Sequence, residues 1–340
     1  MKFNWRAALG IALSAVLLWL TLRGVAFRDV WQVLRESNLL LFVLGTAVAT
    51  CMFPLRAKRW QPILEPVAGH IPFAPLWRAT AIGMMANNVL PLRAGEVARA
   101  YALTRQVPRV ALVTSLSSLA VDRLFDAIIV FLLMFGAMLD PAFPADVRIK
   151  GLTIAQLATS GLVLMVILLV GCYTVVLQPE RVRKWLSTVA LRIMPRFEPA
   201  LIRLFGHVAG GLAVLKDSRR FLVVLGWALA HWLVHALGLY ICFVAVGIDV
   251  PVSAALFLQG ILALGVAVPS SPGFVGVFEG AATIGLAVYG VPTTLAVSWA
   301  IGYHVLSFIP ITVMGAWYFA RLGLGMKELR GASESAQAPA

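Results

Sequence analysis

The chain has 340 residues, of which 61% are hydrophobic and 13% charged, and its formal net charge is +13 at pH 7. Because soluble domains carry about 25% charged residues, this composition excludes an ordinary water-soluble catalytic domain and predicts an α-helical membrane protein. The basic residues flank apolar segments, which favours an anionic lipid bilayer over nucleic acid as a partner.

Six apolar segments are candidate membrane-spanning helices, since a span takes about 20 residues. They cover residues 7–22, 38–54, 112–139, 154–177, 221–246 and 293–319. Basic residues cluster around Arg56, Lys58 and Arg59, between residues 181 and 220, and from Arg321 onwards. Such residues favour the cytoplasmic side. We therefore expect a multi-pass protein of a bacterial inner (plasma) membrane with cytoplasmic N- and C-termini.

Two further apolar stretches, at about residues 75–106 and 252–290, are interrupted by Pro, Gly and polar residues. If the N-terminus is cytoplasmic, all three basic clusters lie on the cytoplasmic side only when each interrupted stretch enters and leaves the membrane by the same face. The sequence therefore predicts two re-entrant helix pairs that enter from opposite sides, as in the inverted repeats of transporters. The predicted fold is a single all-α polytopic membrane domain over residues 1–330.

The region 179–220 alternates basic with apolar side chains and is broken by Pro195 and Pro199. This pattern predicts helices that lie in the cytoplasmic membrane interface. Residues 331–340 are small and polar, which predicts a disordered tail. We expect no second, soluble catalytic domain.

The two interrupted stretches share a Pro-x-x-x-Gly pattern, from Pro91 to Gly95 and from Pro269 to Gly273. Broken helices of inverted-repeat transporters meet near the midplane, and unwound backbone is tolerated there only where it lines a cavity. The N-termini of half-helices present unpaired N–H groups and partial positive charge, which suit a phosphate or another anion. The sequence therefore predicts a polar cavity at the two breaks.

Ionisable and turn-forming residues concentrate at these breaks and at the start of the third span. A charge at the bilayer centre costs about 2.5–3.5 kcal/mol, so it normally faces a partner or a wet cavity. The candidate substrate-binding residues are Asn87, Asn88, Arg93, Glu96, Arg99, Asp122, Arg123, Asp126, Pro269, Ser270, Ser271, Gly273 and Glu279.

Structural interpretations of several candidates stay open. Arg123 pairs with Asp126 in one alternative, and Arg99 is a cytoplasmic anchor in another. Asn87 and Asn88 cap the end of a half-helix in a third. Glu279 has no basic neighbour in the sequence, which favours a functional role for it.

Two further pairs are given structural roles. Ser270 and Ser271 lie between two prolines and are interpreted as turn formers, because no nucleophile-elbow pattern surrounds them. His231 and His235 lie one helical turn apart but lack the Glu of an H-E-x-x-H zinc motif. Packing or interhelical hydrogen bonding is therefore favoured for them, and no metal or cofactor is expected.

Three segments together carry a family resemblance: NNVLPLRAGE at 87–96, VDRLFD at 121–126 and PSSPGFVGVFE at 269–279. They resemble the lysylphosphatidylglycerol synthase transmembrane family, which includes the flippase-like membrane half of the bacterial aminoacyl-phosphatidylglycerol synthase/flippase. The resemblance covers roughly residues 5–325. It implies movement of a lipid between leaflets along a path lined by the first and third segments. The soluble synthase half is not expected here, so the resemblance does not imply lipid synthesis.

The predicted function is that of a lipid flippase for a phospholipid or a lipid-linked precursor. Arg93 and Arg99 would hold the phosphate, and the carboxylates at the breaks and on the third span would bind the headgroup or carry protons. No Walker-type P-loop is present in the sequence, so ATP hydrolysis is not expected. With neither an ATPase motif nor a soluble synthase domain expected, the protein is predicted not to be an enzyme.

Two alternatives from other classes remain. The first is an intramembrane enzyme for a polyprenyl or phospholipid headgroup, in which Asp122 and Asp126 bind Mg²⁺ opposite a pyrophosphate. Against it, Arg123 lies between the two aspartates, and the motifs of membrane prenyltransferases and CDP-alcohol transferases are absent from the sequence. The second is a membrane partner subunit of an envelope glycosyltransferase system. The lipid, the direction, the energy source and assembly into a homo-oligomer stay open.

Overall fold

The computed structural model describes residues 5–90, 94–144, 148–149, 152–211, 217–267 and 271–325, and these are almost entirely helical. The helices are α1 (Trp5–Leu22), α2 (Phe27–Glu36), α3 (Leu39–Thr50), α4 (Met52–Ala68), α5 (Phe73–Val89), α6 (Gly95–Gln106), α7 (Leu112–Ala137), α8 (Ile154–Leu177), α9 (Pro179–Ile193), α10 (Glu198–Gly211), α11 (Ser218–Ala245), α12 (Val252–Ala267), α13 (Val277–Ala287) and α14 (Thr293–Arg321). Two short strands, β1 (Arg148–Ile149) and β2 (Leu152–Thr153), pair antiparallel. The predicted helical fold class is confirmed.

Each predicted span overlaps a helix, namely α1, α3, α7, α8, α11 and α14, although the span predicted at 38–54 also includes the start of α4. Three described stretches are long and apolar enough to cross a membrane: Leu39–Ala68, which joins α3 and α4, Ser218–Ala245 and Thr293–Arg321. These findings fit a polytopic membrane protein, and the number of spans stays a prediction.

The first interrupted stretch folds as an antiparallel pair of helices, α5 and α6. Gly83 on α5 lies directly against Arg99 on α6, so the chain has reversed direction between them. Beyond the far ends of the two helices, Arg109 donates a hydrogen bond to the backbone carbonyl of His70 over 2.6 Å. The two ends of this first hairpin therefore lie side by side.

The second interrupted stretch forms a comparable hairpin from α12 and α13. Gly265 near the end of α12 lies against Ala281 on α13. At the opposite end of the hairpin, the rings of Phe257 and Tyr289 have centroids 5.9 Å apart. Both predicted interruptions are thus real breaks between paired helices.

Helix α7 connects the open ends of the two hairpins. It begins directly after the loop that holds Arg109, and beyond its C-terminus the ring of Phe143 contacts Phe257 and Tyr289 at 5.4 and 5.8 Å. A helix of its 26 residues is about 39 Å long. The first hairpin therefore opens at one end of α7 and the second at the other.

The predicted interfacial region folds as α9 and α10, with a 3₁₀ turn at Pro195–Phe197 where a break was predicted. Helix α9 exposes apolar side chains such as Trp185, and α10 packs on α7. Its location in a membrane interface stays a prediction. The tail predicted at 331–340 lies outside the described residues.

Candidate functional site

Helices α4 and α7 bring two arginines onto two aspartates inside the helix bundle. Arg59 donates from Nε to Oδ1 of Asp122 and from Nη1 to Oδ1 of Asp126, both over 2.7 Å. Arg56 donates from Nη2 to Oδ2 of Asp126 over 2.8 Å, and its Nε lies 3.4 Å from Asp122. No more than 6% of any of the four residues is exposed. These charges are therefore neutralised by one another within the protein.

Arg99 joins them from the first hairpin. Its Nη1 donates to Oδ2 of Asp122 over 3.1 Å, and its guanidinium lies over the ring of Trp60 at 4.1 Å. Arg99 is fully buried, so the alternative of a cytoplasmic anchor does not describe it. We call the following residues the Arg–Asp cluster: Arg56, Arg59, Arg99, Asp122 and Asp126.

Glu96 and Arg123 form an ion pair at the edge of this cluster. Glu96 lies in the first turn of α6, and its Oε1 accepts a hydrogen bond from Arg123 on α7. A second nitrogen of Arg123 lies 3.7 Å from Asp126, so the pairing considered from the sequence is also present. The side chain of Arg123 is 36% exposed, which makes it the most accessible arginine among the described residues at the cluster.

Arg56 and Arg59 belong to a basic cluster that is expected on the cytoplasmic side, but both side chains are buried in the bundle and are not exposed surface anchors. Their spacing places both on one face of α4, and that face packs against α7. The sequence did contain a signal for this role. Arg56 and Arg59 lie three residues apart just after the apolar segment 38–54, a spacing that fits one face of a helix continuing past the predicted end of that span. Two carboxylates in an apolar interior need such partners.

At the second break, Glu279 has a partner that its own sequence neighbourhood does not contain. Its Oε1 lies 2.6 Å from Nδ1 of His304 on α14, and its Oε2 accepts the backbone N–H of Gly276 over 2.6 Å. Gly276 has a φ of +84°, a conformation that glycine adopts at little cost. Glu279 therefore caps α13 and ties the second break to α14.

The amides of Asn87 and Asn88, at the start of the first break, have different partners. Oδ1 of Asn87 accepts the backbone N–H of Gly95 over 2.9 Å, which caps the following half-helix, α6. Nδ2 of Asn88 donates to the hydroxyl of Thr312 on α14 over 2.7 Å. The predicted capping role thus fits Asn87, whereas Asn88 holds the break against α14.

The two breaks touch each other. A Cβ added to Gly273 would lie 3.4 Å from the backbone oxygen of Asn88 and 2.9 Å from the ring of Phe308. Ser271 donates its N–H to Ser14 and its hydroxyl to the carbonyl of Val275, which fits the predicted turn. Three candidates of the sequence analysis fall outside the described residues: Arg93, Pro269 and Ser270.

A cavity of about 430 Å³ lies where the breaks meet. Its charged and titratable lining residues include Arg56, Arg123, Asp126 and His304. Most of the remaining wall is apolar or aromatic, with contributions from α3, α7, α11, α12, α13 and α14. A charged patch inside a largely apolar chamber is suited to an amphiphilic ligand rather than to a freely hydrated ion.

His235 also lines the cavity, and it makes interhelical hydrogen bonds. Its Nδ1 lies 3.4 Å from Oε1 of Gln259 on α12, and its Nε2 lies 3.3 Å from the hydroxyl of Tyr303 on α14. His231 is fully buried, 3.7 Å from Asp126. The two histidines thus point to different neighbours, and interhelical hydrogen bonding describes His235. Sequence reasoning missed Gln259 and His304 because their role depends on helices distant in sequence.

Comparison with known proteins identifies a family for this chain. The family model described as "Lysylphosphatidylglycerol synthase TM region" matches residues 7–315. A UPF0104 membrane protein of Methanothermobacter thermautotrophicus is 27% identical over 334 residues, covering 93% of this chain and 92% of that protein. A second UPF0104 membrane protein of the same organism is 24% identical over 321 residues, covering 88% and 89%.

A third relative is longer than this chain. Glycosyltransferase AglD of Haloferax volcanii is 26% identical over 317 residues, which cover 86% of this chain but 50% of AglD. The match thus spans about half the length of that protein. Since the family model covers most of the sequence, and the three motif segments lie within it, the chain belongs to the family of lysylphosphatidylglycerol synthase TM regions.

Proposed function

We propose that this protein is a lipid translocator that moves a phospholipid or a lipid-linked precursor between the two leaflets of its membrane. The observation that carries the proposal is the cavity at the contact between two helix breaks, with arginines on one wall and apolar surface around them. Such a chamber can hold a charged headgroup while the acyl chains stay in lipid.

Each hairpin would form a re-entrant helix pair in a membrane crossed by six further helices. Support comes from the adjacent ends of the first hairpin, at His70 and Arg109, and from the length of α7 between the two open ends. Broken helices that enter from opposite faces place unpaired backbone groups at mid-depth, where only a protein or water cavity can satisfy them. The cavity beside the two breaks supports this proposal.

The phosphate of the lipid would bind at Arg56 and Arg123. Among the described residues around the Arg–Asp cluster, four guanidinium groups face three carboxylates, so one positive charge is left over. Arg56 and Arg123 are the arginines on the cavity wall, and Nε of Arg56 makes no hydrogen bond within the described part of the chain. Guanidinium groups suit phosphate because their donors match its oxygens in pairs.

The decisive experiment is leaflet exchange of labelled lipids in proteoliposomes that hold only this protein. Phosphatidylglycerol, lysyl-phosphatidylglycerol and a polyprenyl phosphosugar would be compared. We expect exchange of at least one of them, slowed about tenfold by Arg123→Gln because a charge-assisted hydrogen bond to phosphate is lost. The double variant Glu96→Gln/Glu279→Gln should abolish exchange.

The matched control is Arg183→Gln, which removes an exposed arginine on α9 whose pair with Glu180 is at the surface. It should exchange lipid like the wild type. If the folded wild-type protein exchanges none of the three lipids, the translocator proposal is wrong.

The alternative of a Mg²⁺-dependent enzyme has less support. The oxygens of Asp122 and Asp126 accept hydrogen bonds from three arginines, so Mg²⁺ would have to displace guanidinium groups to bind there. The similarity to half of AglD favours the second alternative, a membrane component that works with a glycosyltransferase. That role is compatible with translocation, because a lipid-linked sugar needs both a transferase and a route across the bilayer.

A further inference from the structure

Gln259 on α12 is fully buried, yet it lies on the cavity wall. Its Oε1 faces the imidazole of His235, while its amide nitrogen has no hydrogen-bond partner in the described part of the chain. A buried donor without a partner costs about 1–3 kcal/mol, so native proteins rarely keep one unless water or a ligand completes it. The amide therefore marks a polar contact point for whatever occupies the cavity.

The groups around Gln259 are neutral hydrogen-bonding groups and aromatic rings. His235 and Tyr303 continue the hydrogen-bonded chain from Gln259 along the wall. The cavity is also lined by rings that offer apolar faces, namely Trp232, Phe274, Phe278 and Phe308. Hydroxyl groups both donate and accept hydrogen bonds, and the carbon face of a sugar or a glycerol can pack on a ring.

The cavity wall has few groups that could pair with a positively charged headgroup. Asp126 is the carboxylate that lines the cavity among the described residues, and its oxygens already accept from Arg56, Arg59 and Trp232. Glu279 is paired with His304 and with a backbone N–H. Among the described residues that line the cavity, a buried ammonium group would therefore find no carboxylate without partners, and an unpaired buried charge is strongly disfavoured.

We propose that the cavity selects a lipid whose phosphate carries an uncharged, hydroxylated headgroup, either glycerol or a sugar, over one whose headgroup carries an ammonium group. The phosphate lies at Arg56 and Arg123, and the amide of Gln259 donates to a headgroup oxygen. This inference rests on the proposed translocation and names its substrate class. The cavity volume of about 430 Å³ lies within the usual range of small-molecule sites, about 300–1,000 Å³.

Phosphatidylglycerol and lysyl-phosphatidylglycerol form a matched pair for the test, because they share acyl chains and phosphate and differ in the lysyl ester. In the proteoliposome assay, we expect wild-type protein to exchange phosphatidylglycerol or a polyprenyl phosphohexose at least about tenfold faster than lysyl-phosphatidylglycerol. Which of the first two is exchanged identifies glycerol or sugar as the source of the hydroxyl groups.

Gln259→Leu keeps the side-chain size and removes the amide, so exchange of the preferred lipid should fall about fivefold, the value of one hydrogen bond. The control is Gln106→Leu, which alters an amide bonded to backbone carbonyls of the first hairpin, away from the cavity. It should leave exchange unchanged. Gln259→Glu adds a carboxylate to the cavity wall. It should reduce the ratio of the exchange rate of phosphatidylglycerol to that of lysyl-phosphatidylglycerol.

The outcomes separate this inference from the proposed function. Faster exchange of lysyl-phosphatidylglycerol than of phosphatidylglycerol would overturn the selectivity and leave translocation standing. Equal effects of Gln259→Leu and Gln106→Leu would show that the amide of Gln259 has no special role. Absence of exchange for every lipid would contradict translocation itself.

Discussion

Asp122 is the residue on which the buried charges converge. It accepts from Arg59 and Arg99 and lies 3.4 Å from Arg56, so three helices, α4, α6 and α7, meet at one carboxylate. Removing one partner from a buried ionic group leaves the others uncompensated, and this typically costs about 3–5 kcal/mol. Asp122 therefore holds the first hairpin to the rest of the bundle through charge.

We predict that Asp122→Asn lowers the free energy of unfolding by about 3–5 kcal/mol, because the amide leaves buried guanidinium groups without their counter-charge. Denaturant unfolding of purified protein in detergent would measure it. The matched control, Asp29→Asn, changes an exposed aspartate on α2 and should change stability by less than about 0.5 kcal/mol. Equal stability of the two variants would contradict the role of Asp122.

Glu279 combines a capping bond with a charge, and two substitutions separate them. The amide oxygen of Glu279→Gln can still accept the N–H of Gly276, so we expect stability close to that of the wild type and a loss of lipid exchange. Glu279→Leu loses both and should also be destabilised by about 1–2 kcal/mol, the value of a helix cap. Thermal unfolding and leaflet exchange would be measured on both. If Glu279→Gln exchanges lipid at the wild-type rate, the role of Glu279 is limited to capping α13.

At the scale of elements, α3 and α11 approach so closely that only small residues fit between them. A Cβ on Gly238 would lie 2.6 Å from the backbone nitrogen of Ala49, and one on Gly45 would lie 2.6 Å from the sulfur of Cys242. Small residues at such contacts let backbones pack in membrane helix pairs, where burial from water contributes little. Both helices also line the cavity, so their spacing sets one of its dimensions.

Gly238→Leu should therefore separate α3 from α11 and lower stability by about 1–3 kcal/mol, as overpacking does. Gly226 lies on the same helix with nothing within 4 Å of a built Cβ, so Gly226→Leu is the matched control. Thermal unfolding in detergent would compare the two variants. We expect a lower unfolding midpoint for Gly238→Leu and an unchanged one for Gly226→Leu. An equal fall in both midpoints would show that the close contact between α3 and α11 is not what Gly238→Leu disrupts.

Much of the element level was predictable from the sequence, and much of the pairing was not. Pro and Gly in the middle of apolar stretches mark helix breaks locally, so both hairpins were predicted. The partner of Glu279 is His304, which lies on another helix and carries no local signal. Counting basic residues assigned Arg56 and Arg59 to the membrane surface, because that rule treats every arginine as exposed. Whether an arginine is paired is decided by the helix opposite it.

At the scale of the whole molecule, the side of the membrane on which each loop lies tests the prediction of two opposed re-entrant pairs. His70 and Arg109 are exposed at the ends of the first hairpin, whereas Asp249 is exposed just before the second. Single cysteines in a background without Cys51, Cys172 and Cys242 can be labelled with a membrane-impermeant thiol reagent. We expect His70→Cys and Arg109→Cys to react from the cytoplasmic side and Asp249→Cys from the other side. Labelling of His70→Cys and Arg109→Cys from different sides would mean that α5 and α6 cross the membrane completely.

Helix α14 holds one contact to each break, through His304 to Glu279 and through Thr312 to Asn88. Pro310 lies between them inside the helix. Proline removes one backbone hydrogen bond, and helices bend most readily where that bond is missing. A bend at Pro310 would move His304 relative to Thr312. The contact of α14 to Glu279 could then be broken separately from its contact to Asn88. The curvature of α14 at Pro310 would therefore set the distance between its contacts to the first and the second break.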